Sequence, residues 1–223
     1  MVPNFDKFLN MQDLAQIRKE YSLNKLDEKS IDANPFKQFD TWFNEALNAK
    51  VLEPNAMMLA TVSINNRPSA RIVLLKGFTE KGFTFYTNYQ SSKGKDLLDN
   101  PYCSLSFFWP ELERQIRIEG LSERVSAEDS DAYFNSRPRE SRLGAWTSPQ
   151  SSVIASREIL EQRYKTLEKE HAGKEIIKRP SQWGGYLVKP FLIEFWQGRV
   201  SRLHDRIVYT MVDGSWKISR LAP

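Results

Sequence analysis

The spacing of apolar residues changes period twice along this chain and divides it into helices, a β meander, more helices and final strands. In the opening stretch, Asn34 is a good helix N-cap and Pro35 suits the first helical position. Phe36, Phe39, Phe43, Ala46 and Leu47 then recur at helical spacing, which predicts a helix with one core-packing face. From Met57 the segments MMLATVSI, SARIVLLK, FTFYTN, YCSLSFFW and ERQIRIEGLSERV are rich in β-branched and aromatic residues. Asn65-Asn66 and Glu80-Lys81-Gly82 mark turns between them. Short strands joined by short turns predict an antiparallel meander or barrel rather than a βαβ sheet. In the strand over 112–120, Ile116 and Ile118 face one way and Gln115, Arg117 and Glu119 the other.

A helix is expected near Ser91 or Ser92, directly after FTFYTN. A capping-box pattern, Ser126 with Asp129, predicts a further helix that runs to Phe134, before Arg137-Pro138. Others are expected over Glu140–Trp146 and Ser156–Glu170, the latter with an apolar stripe of Ile159, Leu160, Tyr164 and Leu167. The final β segments are GGYLVKP, LIEFWQ, HDRIVYTM and, after an Asp213-Gly214 turn, SWKISR. The expected class is α+β, mainly β, in one domain over 1–223 with a helical N-terminal segment over about 1–50.

Composition narrows the function classes. Of the 223 residues, 40% are hydrophobic and 27% charged, which is ordinary for a globular protein. No apolar run reaches membrane-spanning length, and the N-terminal stretch is too polar for a signal peptide. The single cysteine, Cys103, excludes an internal disulfide and a multi-cysteine metal site, so the cytoplasm is the expected compartment. With two histidines and no H-E-x-x-H, no metal site is expected. G-x-G-x-x-G, Walker A and G-x-S-x-G motifs are all missing. The net charge of +4 comes from basic residues placed singly, as in SSKGK, NSRPRES and SRLHDR. That distribution favours discrete small-anion sites over a nucleic-acid stripe.

Four segments carry candidate chemistry. Arg71 and Lys76 bracket a strand and, five positions apart, point to opposite faces unless a bulge intervenes. Tyr86-Thr87-Asn88 is followed by Ser91-Ser92-Lys93 at a helix start, where hydroxyls, backbone N–H groups and a lysine suit a phosphate. Tyr133, Arg137 and Ser141 can converge on one phosphate if the helix extends far enough. Taken singly, these three read more simply as exposed charges, an N-cap and a helix end. In Arg202-Leu203-His204-Asp205-Arg206, strand alternation would put Arg202, His204 and Arg206 on one face. Three such groups together are costly without anions nearby, so here a ligand site and a solvated face compete evenly.

Taken together and in this order, the segments resemble the pyridoxine 5'-phosphate oxidase family. The blocks that carry the resemblance are RIVLLK (71–76), FYTN (85–88), RQIRIEG (114–120), YFNSRPRES (133–141), GAW (144–146), PQSS (149–152), WGGY (183–186) and EFWQGRVSRLHDR (194–206). The resemblance implies an FMN-binding split β-barrel with flanking helices, a homodimer, and FMN at the subunit interface. It implies FMN contacts from Arg71, Ile72, Val73, Leu74, Leu75, Lys76, Tyr86, Thr87, Ser92, Lys93, Gln115, Gln150, Ser151, Trp196 and Arg206. Arg71 and Lys93 would meet the flavin phosphate, and Gln115 the flavin ring. Lys76, Tyr133, Arg137 and Ser141 would hold the substrate phosphate. Arg202, Leu203 and His204 would lie at the reacting pyridine, with Arg202 and His204 in the catalytic role and Arg18 and Tyr21 in a lid. The implied reaction oxidises pyridoxine or pyridoxamine 5'-phosphate to pyridoxal 5'-phosphate with dioxygen as acceptor. Ser92 departs from the pattern: many family members carry arginine there, and serine lacks its charge and bidentate fork.

Two other classes of reading remain at this point. Another split-barrel flavoprotein, such as a flavin reductase, would lack the second phosphate site that NSRPRES and SRLHDR supply. A non-catalytic B6-phosphate or haem carrier would bind ligand without making peroxide, and a nucleic-acid module would bind with strong salt dependence.

Overall fold

The structure is a computed structural model that describes residues 19–223. The meander is present as one antiparallel nine-stranded sheet. Its strands are β1 (Ala56–Val62), β2 (Pro68–Leu74), β3 (Gly77–Thr79), β4 (Gly82–Asn88), β5 (Tyr102–Trp109), β6 (Arg114–Arg124), β7 (Trp183–Gln197), β8 (Asp205–Val212) and β9 (Ser215–Arg220). Among the described residues, five α-helices flank it: α1 (Pro35–Asn48), α2 (Ser92–Asp99), α3 (Ala127–Ser136), α4 (Arg139–Thr147) and α5 (Arg157–Glu170). The strand order is β2-β1-β5-β6-β7-β4-β3, and β8 and β9 branch from β7. The mainly-β fold with flanking helices matches the sequence reading.

GGYLVKP and LIEFWQ read as separate segments but form one 15-residue strand, β7. Pro190 does not break it, because it lies where the β6–β7 register shifts between Glu119 and Gly120. A bulge tolerates a residue that cannot donate to the ladder. Gly120 is required there: a Cβ would fall 2.5 Å from the Lys189 carbonyl oxygen. The two halves of β7 then serve different partners. Trp183–Val188 pair with β4, and Leu192–Gln197 pair with β8.

Helix α1 closes over the sheet as its period demands. The Asn34 side chain accepts from the Phe36 N–H, and Pro35 starts the helix. The buried face is Phe36, Phe39, Trp42 and Ala46, whereas Leu47, expected on that face, is 50% exposed. Phe39 is fully buried and meets Phe78, Phe83 and Phe107 at ring distances of 4.8, 4.9 and 5.4 Å. Among the described residues before α1, no helix occurs, so the expected N-terminal helical segment is reduced to α1 there; residues 1–18 lie outside the described part. Residues 19–32 instead lie across the sheet end. Glu113 accepts from the Ser22 and Leu23 N–H groups, and Asp205 accepts from the Leu26 N–H.

A smaller apolar cluster, Phe134, Leu143, Ile177 and Trp183, joins α3 and α4 to the start of β7. No helix among the described residues is long and apolar enough to cross a membrane. Replacing Phe39 with alanine empties the centre of the main core. It should cost about 3–5 kcal/mol of unfolding free energy, read as a lower urea midpoint at unchanged slope.

Candidate active site

Two cavities hold most of the residues singled out in the sequence. The first, about 640 Å³, lies between β2, β4, α2 and the α3–α4 turn. It is lined by Arg71, Ile72, Val73, Leu74, Lys76, Tyr86, Thr87, Lys93, Tyr133, Arg137, Ser141 and Gln150, twelve of the expected site residues. Asn88, Gly144, Ala145, Ser148 and Trp183 complete it. Gly144, Ala145 and Trp183 fall in the blocks GAW and WGGY, whose pattern marked them without assigning them a role.

Arg71 and Lys76 share this cavity although simple alternation separates them. Strand β2 ends at Leu74, and the chain turns so that the Leu75 N–H donates to Asn55 and the Lys76 N–H to Thr84. Leu75 takes the inward position and is buried in the core, so it does not line the cavity. Arg137 reaches the cavity by a different route from the one expected. Helix α3 ends at Ser136, and Arg137 is its extended C-cap (φ −75°, ψ 149°), not a helical neighbour of Tyr133. Its guanidinium lies 4.7 Å from the Trp183 ring centre.

One wall is aromatic. The Tyr86 ring stacks on Tyr133 at 4.0 Å and on Trp183 at 5.4 Å. Gly185 permits this, because a Cβ there would meet the Tyr86 ring at 2.8 Å. The polar side carries Arg71, Lys76, Lys93 and Arg137, with no carboxylate among the lining residues. Burial, and then the charge of Arg71, hold the Lys93 ammonium below its ordinary pKa. Burial also lowers Arg137, whose Nη1 is buried with no hydrogen-bond partner among the described residues. Such an orphaned donor is expensive unless an acceptor arrives. Lys93 and Thr87 both donate to the Gln150 side-chain oxygen, at 3.1 and 3.2 Å, which ties the loop after α4 to the site. The donor set and flat aromatic wall fit a planar ligand with anionic groups such as FMN or a pyridine phosphate.

The second cavity, about 840 Å³, is lined by Lys19, Glu20, Tyr21, Arg199, Ser201, Arg202 and His204. Here the strand-face expectation fails. Val200–Arg202 form a 3-10 turn with Ser201 and Arg202 at positive φ (56° and 60°), and β8 starts only at Asp205. Arg202 and His204 are therefore held by a turn, and Arg206 lies apart from them on the sheet. Trp196 lies 4.6 Å from His204 and 5.8 Å from Tyr21, ring centre to ring centre. The Arg199 backbone N–H donates to His204 Nδ1 at 3.1 Å. Burial and the neighbouring Arg202 push the His204 pKa down, with Asp205 opposing.

The other expected residues line neither cavity. Ser92 is exposed at the start of α2, where the capping role belongs to Ser91. Ser151 is an exposed turn residue at φ 71°. Leu203 is 69% exposed. Gln115, Trp196 and Arg206 form a cross-strand row on the outer sheet face, continued by Phe108. Arg206 donates there to Glu194 at 2.7 Å and to the Ala222 carbonyl at 2.9 Å. Arg18 lies outside the described residues.

The chain is similar to known proteins along most of its length. The family model described as pyridoxamine 5'-phosphate oxidase matches residues 43–170. The pyridoxine 5'-phosphate oxidase C-terminal dimerisation region matches residues 183–223. The pyridoxine/pyridoxamine 5'-phosphate oxidase of Paraburkholderia phytofirmans is 57% identical over 215 residues, covering 96% of this chain and 100% of the relative. That of Trichormus variabilis is 56% identical over 211 residues, covering 94% and 98%. Among solved structures, PhzG from Burkholderia lata 383, in complex with tetrahydrophenazine-1-carboxylic acid, aligns with a TM-score of 0.85 at 27% identity over 91% of this chain and 100% of its own. A pyridoxamine 5'-phosphate oxidase-related, FMN-binding protein of Nostoc punctiforme shares the fold, with a TM-score of 0.66 at 19% identity over 90% and 100%. With a family model spanning most of the chain and relatives above half identity along nearly all of it, this chain belongs to the pyridoxine/pyridoxamine 5'-phosphate oxidase family of oxidoreductases.

Proposed function

We propose that this protein oxidises pyridoxine 5'-phosphate and pyridoxamine 5'-phosphate to pyridoxal 5'-phosphate in the cytoplasm, with FMN as cofactor and dioxygen as electron acceptor. The observation that carries this reading is the first cavity. It gathers four cationic side chains with no lining carboxylate against a stacked aromatic wall, and it leaves a buried arginine donor unspent. FMN, held by residues that include Arg71, Lys93 and Gln150, would supply an acceptor for a hydride equivalent from substrate C4' and a route for the electrons to dioxygen, giving hydrogen peroxide. The alcohol substrate then yields the aldehyde directly, and the amine yields an imine that water hydrolyses to aldehyde and ammonia.

The protein's part is position and charge. Arg71 and Lys93 hold the flavin phosphate, and Lys76, Tyr133, Arg137 and Ser141 hold the substrate phosphate. Tyr86, Thr87, Gln150 and Ser151, with the backbone of 72–75, complete the flavin site. Two anchored phosphates fix C4' against the flavin and remove most of the orientational entropy from the encounter.

The working unit is a homodimer with FMN at the interface. Three observations support it. Residues 183–223 match a dimerisation region. The outer face of β1, β2 and β5 exposes Met58, Ile72, Leu74 and Phe108 at 46, 63, 37 and 55%. The expected site residues are divided, within one protomer, between two cavities and the outer row of Gln115, Trp196 and Arg206.

His204 acts as a hydrogen-bond donor to the substrate and not as a base. Its Nδ1 accepts the Arg199 N–H, so the proton of the neutral ring resides on Nε2. Burial and the neighbouring Arg202 charge lower its pKa and so favour the neutral ring. Arg202 beside it supplies positive charge to the reacting pyridine.

The purified protein should be yellow and, given pyridoxine 5'-phosphate in air, should form pyridoxal 5'-phosphate and peroxide. A protein that takes up no added FMN would overturn the reading. Arg137→Ala should raise KM for the phosphorylated substrate by about tenfold or more with a smaller effect on kcat. Substituting Arg202 or His204 should depress kcat more than it releases flavin. Nitrogen NMR at alkaline pH should show opposite tautomers for the two histidines: Nε2–H for His204, and Nδ1–H for His171, whose Nδ1 lies 2.9 Å from the Leu167 carbonyl oxygen. Observing Nδ1–H at His204 would refute its role as a donor.

A further inference from the structure

Arg71 is held more elaborately than a surface arginine needs to be. In the β1–β2 ladder Leu59 pairs with Arg71 and Thr61 with Ser69, so Thr61 and Arg71 are diagonal neighbours on one face. Arg71 Nη1 donates to Thr61 Oγ1 at 2.7 Å, and also approaches the Leu59 and Ser69 carbonyl oxygens at 3.3 and 3.1 Å. Nη2 donates to Ser69 Oγ at 2.6 Å. Thr61 is 1% exposed, and its hydroxyl donates in turn to Asp96 Oδ2 at 2.7 Å. The same carboxylate oxygen lies 3.8 Å from Arg71 Nη2.

The polarity of this chain is set from its far end. A carboxylate only accepts, so the single Thr61 proton is committed to Asp96. The hydroxyl lone pairs are then obliged to accept, and Arg71 Nη1 is the donor they meet. A guanidinium has five N–H donors. With both on Nη1 and one on Nη2 engaged, Nε–H and one Nη2–H remain without a hydrogen-bond partner among the described residues, the Asp96 carboxylate standing 3.8 Å from Nη2. Asp96 and Lys93 belong to the same helix, α2, so one rigid element carries a cavity lysine and the anchor of the cavity arginine. Burial works against the Arg71 charge, and Asp96 counters it.

We propose that Thr61 and Asp96 are positioning residues: a hydroxyl relay that fixes the Arg71 guanidinium with its two unspent N–H groups presented to the flavin phosphate. This rests on the assignment of Arg71 to that phosphate. The relay touches neither flavin nor substrate and acts through Arg71 alone. Its effect is therefore confined to ligands that carry the phosphate.

The test compares apoprotein affinity for FMN with that for riboflavin, which has the same ring and no phosphate, by quenching of flavin fluorescence. Thr61→Val, nearly isosteric, should weaken FMN about tenfold and leave riboflavin unchanged. Thr61→Ser, which restores the hydroxyl, should recover the wild-type ratio. Asp96→Ala should shift the ratio in the same direction as Thr61→Val. The double variant should be no worse than the stronger single, because both remove one relay. Asp96 is partly exposed, so its variant keeps the test intact should Thr61→Val fold poorly. Equal losses of FMN and riboflavin, or none, in Thr61→Val and Asp96→Ala would overturn the relay. Arg71→Ala separates the relay from the contact of Arg71 with the phosphate. If it collapses the FMN preference while the relay variants do not, the relay alone falls. If it leaves the preference untouched, the phosphate assignment of Arg71 falls, and the relay with it.

Discussion

Strand β7 is hydrogen-bonded along one edge to β6 and along the other first to β4 and then to β8. A strand with two successive neighbours on one edge must bend, and the Gly120–Pro190 irregularity is where the ladder yields. Both cavities depend on that division. The half that pairs with β4 brings Trp183 and Gly185 against Tyr86 and forms the aromatic wall. The half that pairs with β8 delivers Trp196 and the turn that holds Arg202 and His204. The strand end is secured by Gln197, whose amide donates to the Leu112 and Glu113 carbonyls and whose oxygen accepts from Arg114. Glu113 in turn binds the backbone of Ser22 and Leu23, which sets Tyr21 beside Trp196.

Electrostatics gives the first cavity its purpose. Gathering Arg71, Lys76, Lys93 and Arg137 without a lining carboxylate opposes folding through mutual repulsion and desolvation. The depressed pKa of Lys93 registers that cost. Elsewhere the protein neutralises its arginines: Arg220 meets Glu28 and Asp205, and Arg206 meets Glu194. Around the cavity, among the described residues, only Asp96 balances Arg71, and at a distance of 3.8 Å. A site held in this condition favours anionic ligands, whose charge offsets the cost.

Much of the fold was legible because it rests on local rules. The Asn34-Pro35 start of α1, the Glu80-Lys81-Gly82 and Asp213-Gly214 turns and the alternation along β6 all appear where residue chemistry puts them. The failures have specific causes. GGYLVKP and LIEFWQ read as two segments, but a bulge at Pro190 removes the need for its missing donor and one strand runs through both. Leu47 satisfied the helical period but lies half-exposed, and Trp42 makes the core contact with Phe195. Alternation over 202–206 assumed an extended backbone, whereas Ser201 and Arg202 adopt positive φ and turn the chain.

The sequence by itself determined the fold class and the family and singled out a set of candidate polar residues, since these reside in residue identity, period and collinear motifs. Only the tertiary structure decided which of them meet. Twelve of the expected residues share one cavity because β2 ends at Leu74 and α3 ends at Ser136, and these are terminations that no residue count between Arg71 and Lys76 or Tyr133 and Arg137 reveals. It also decided that His204 Nδ1 meets a backbone N–H five residues earlier, and that Arg71 is anchored through Thr61 and Asp96. Such contacts join groups by hydrogen-bond geometry across separate elements, and that geometry exists only once the sheet has closed.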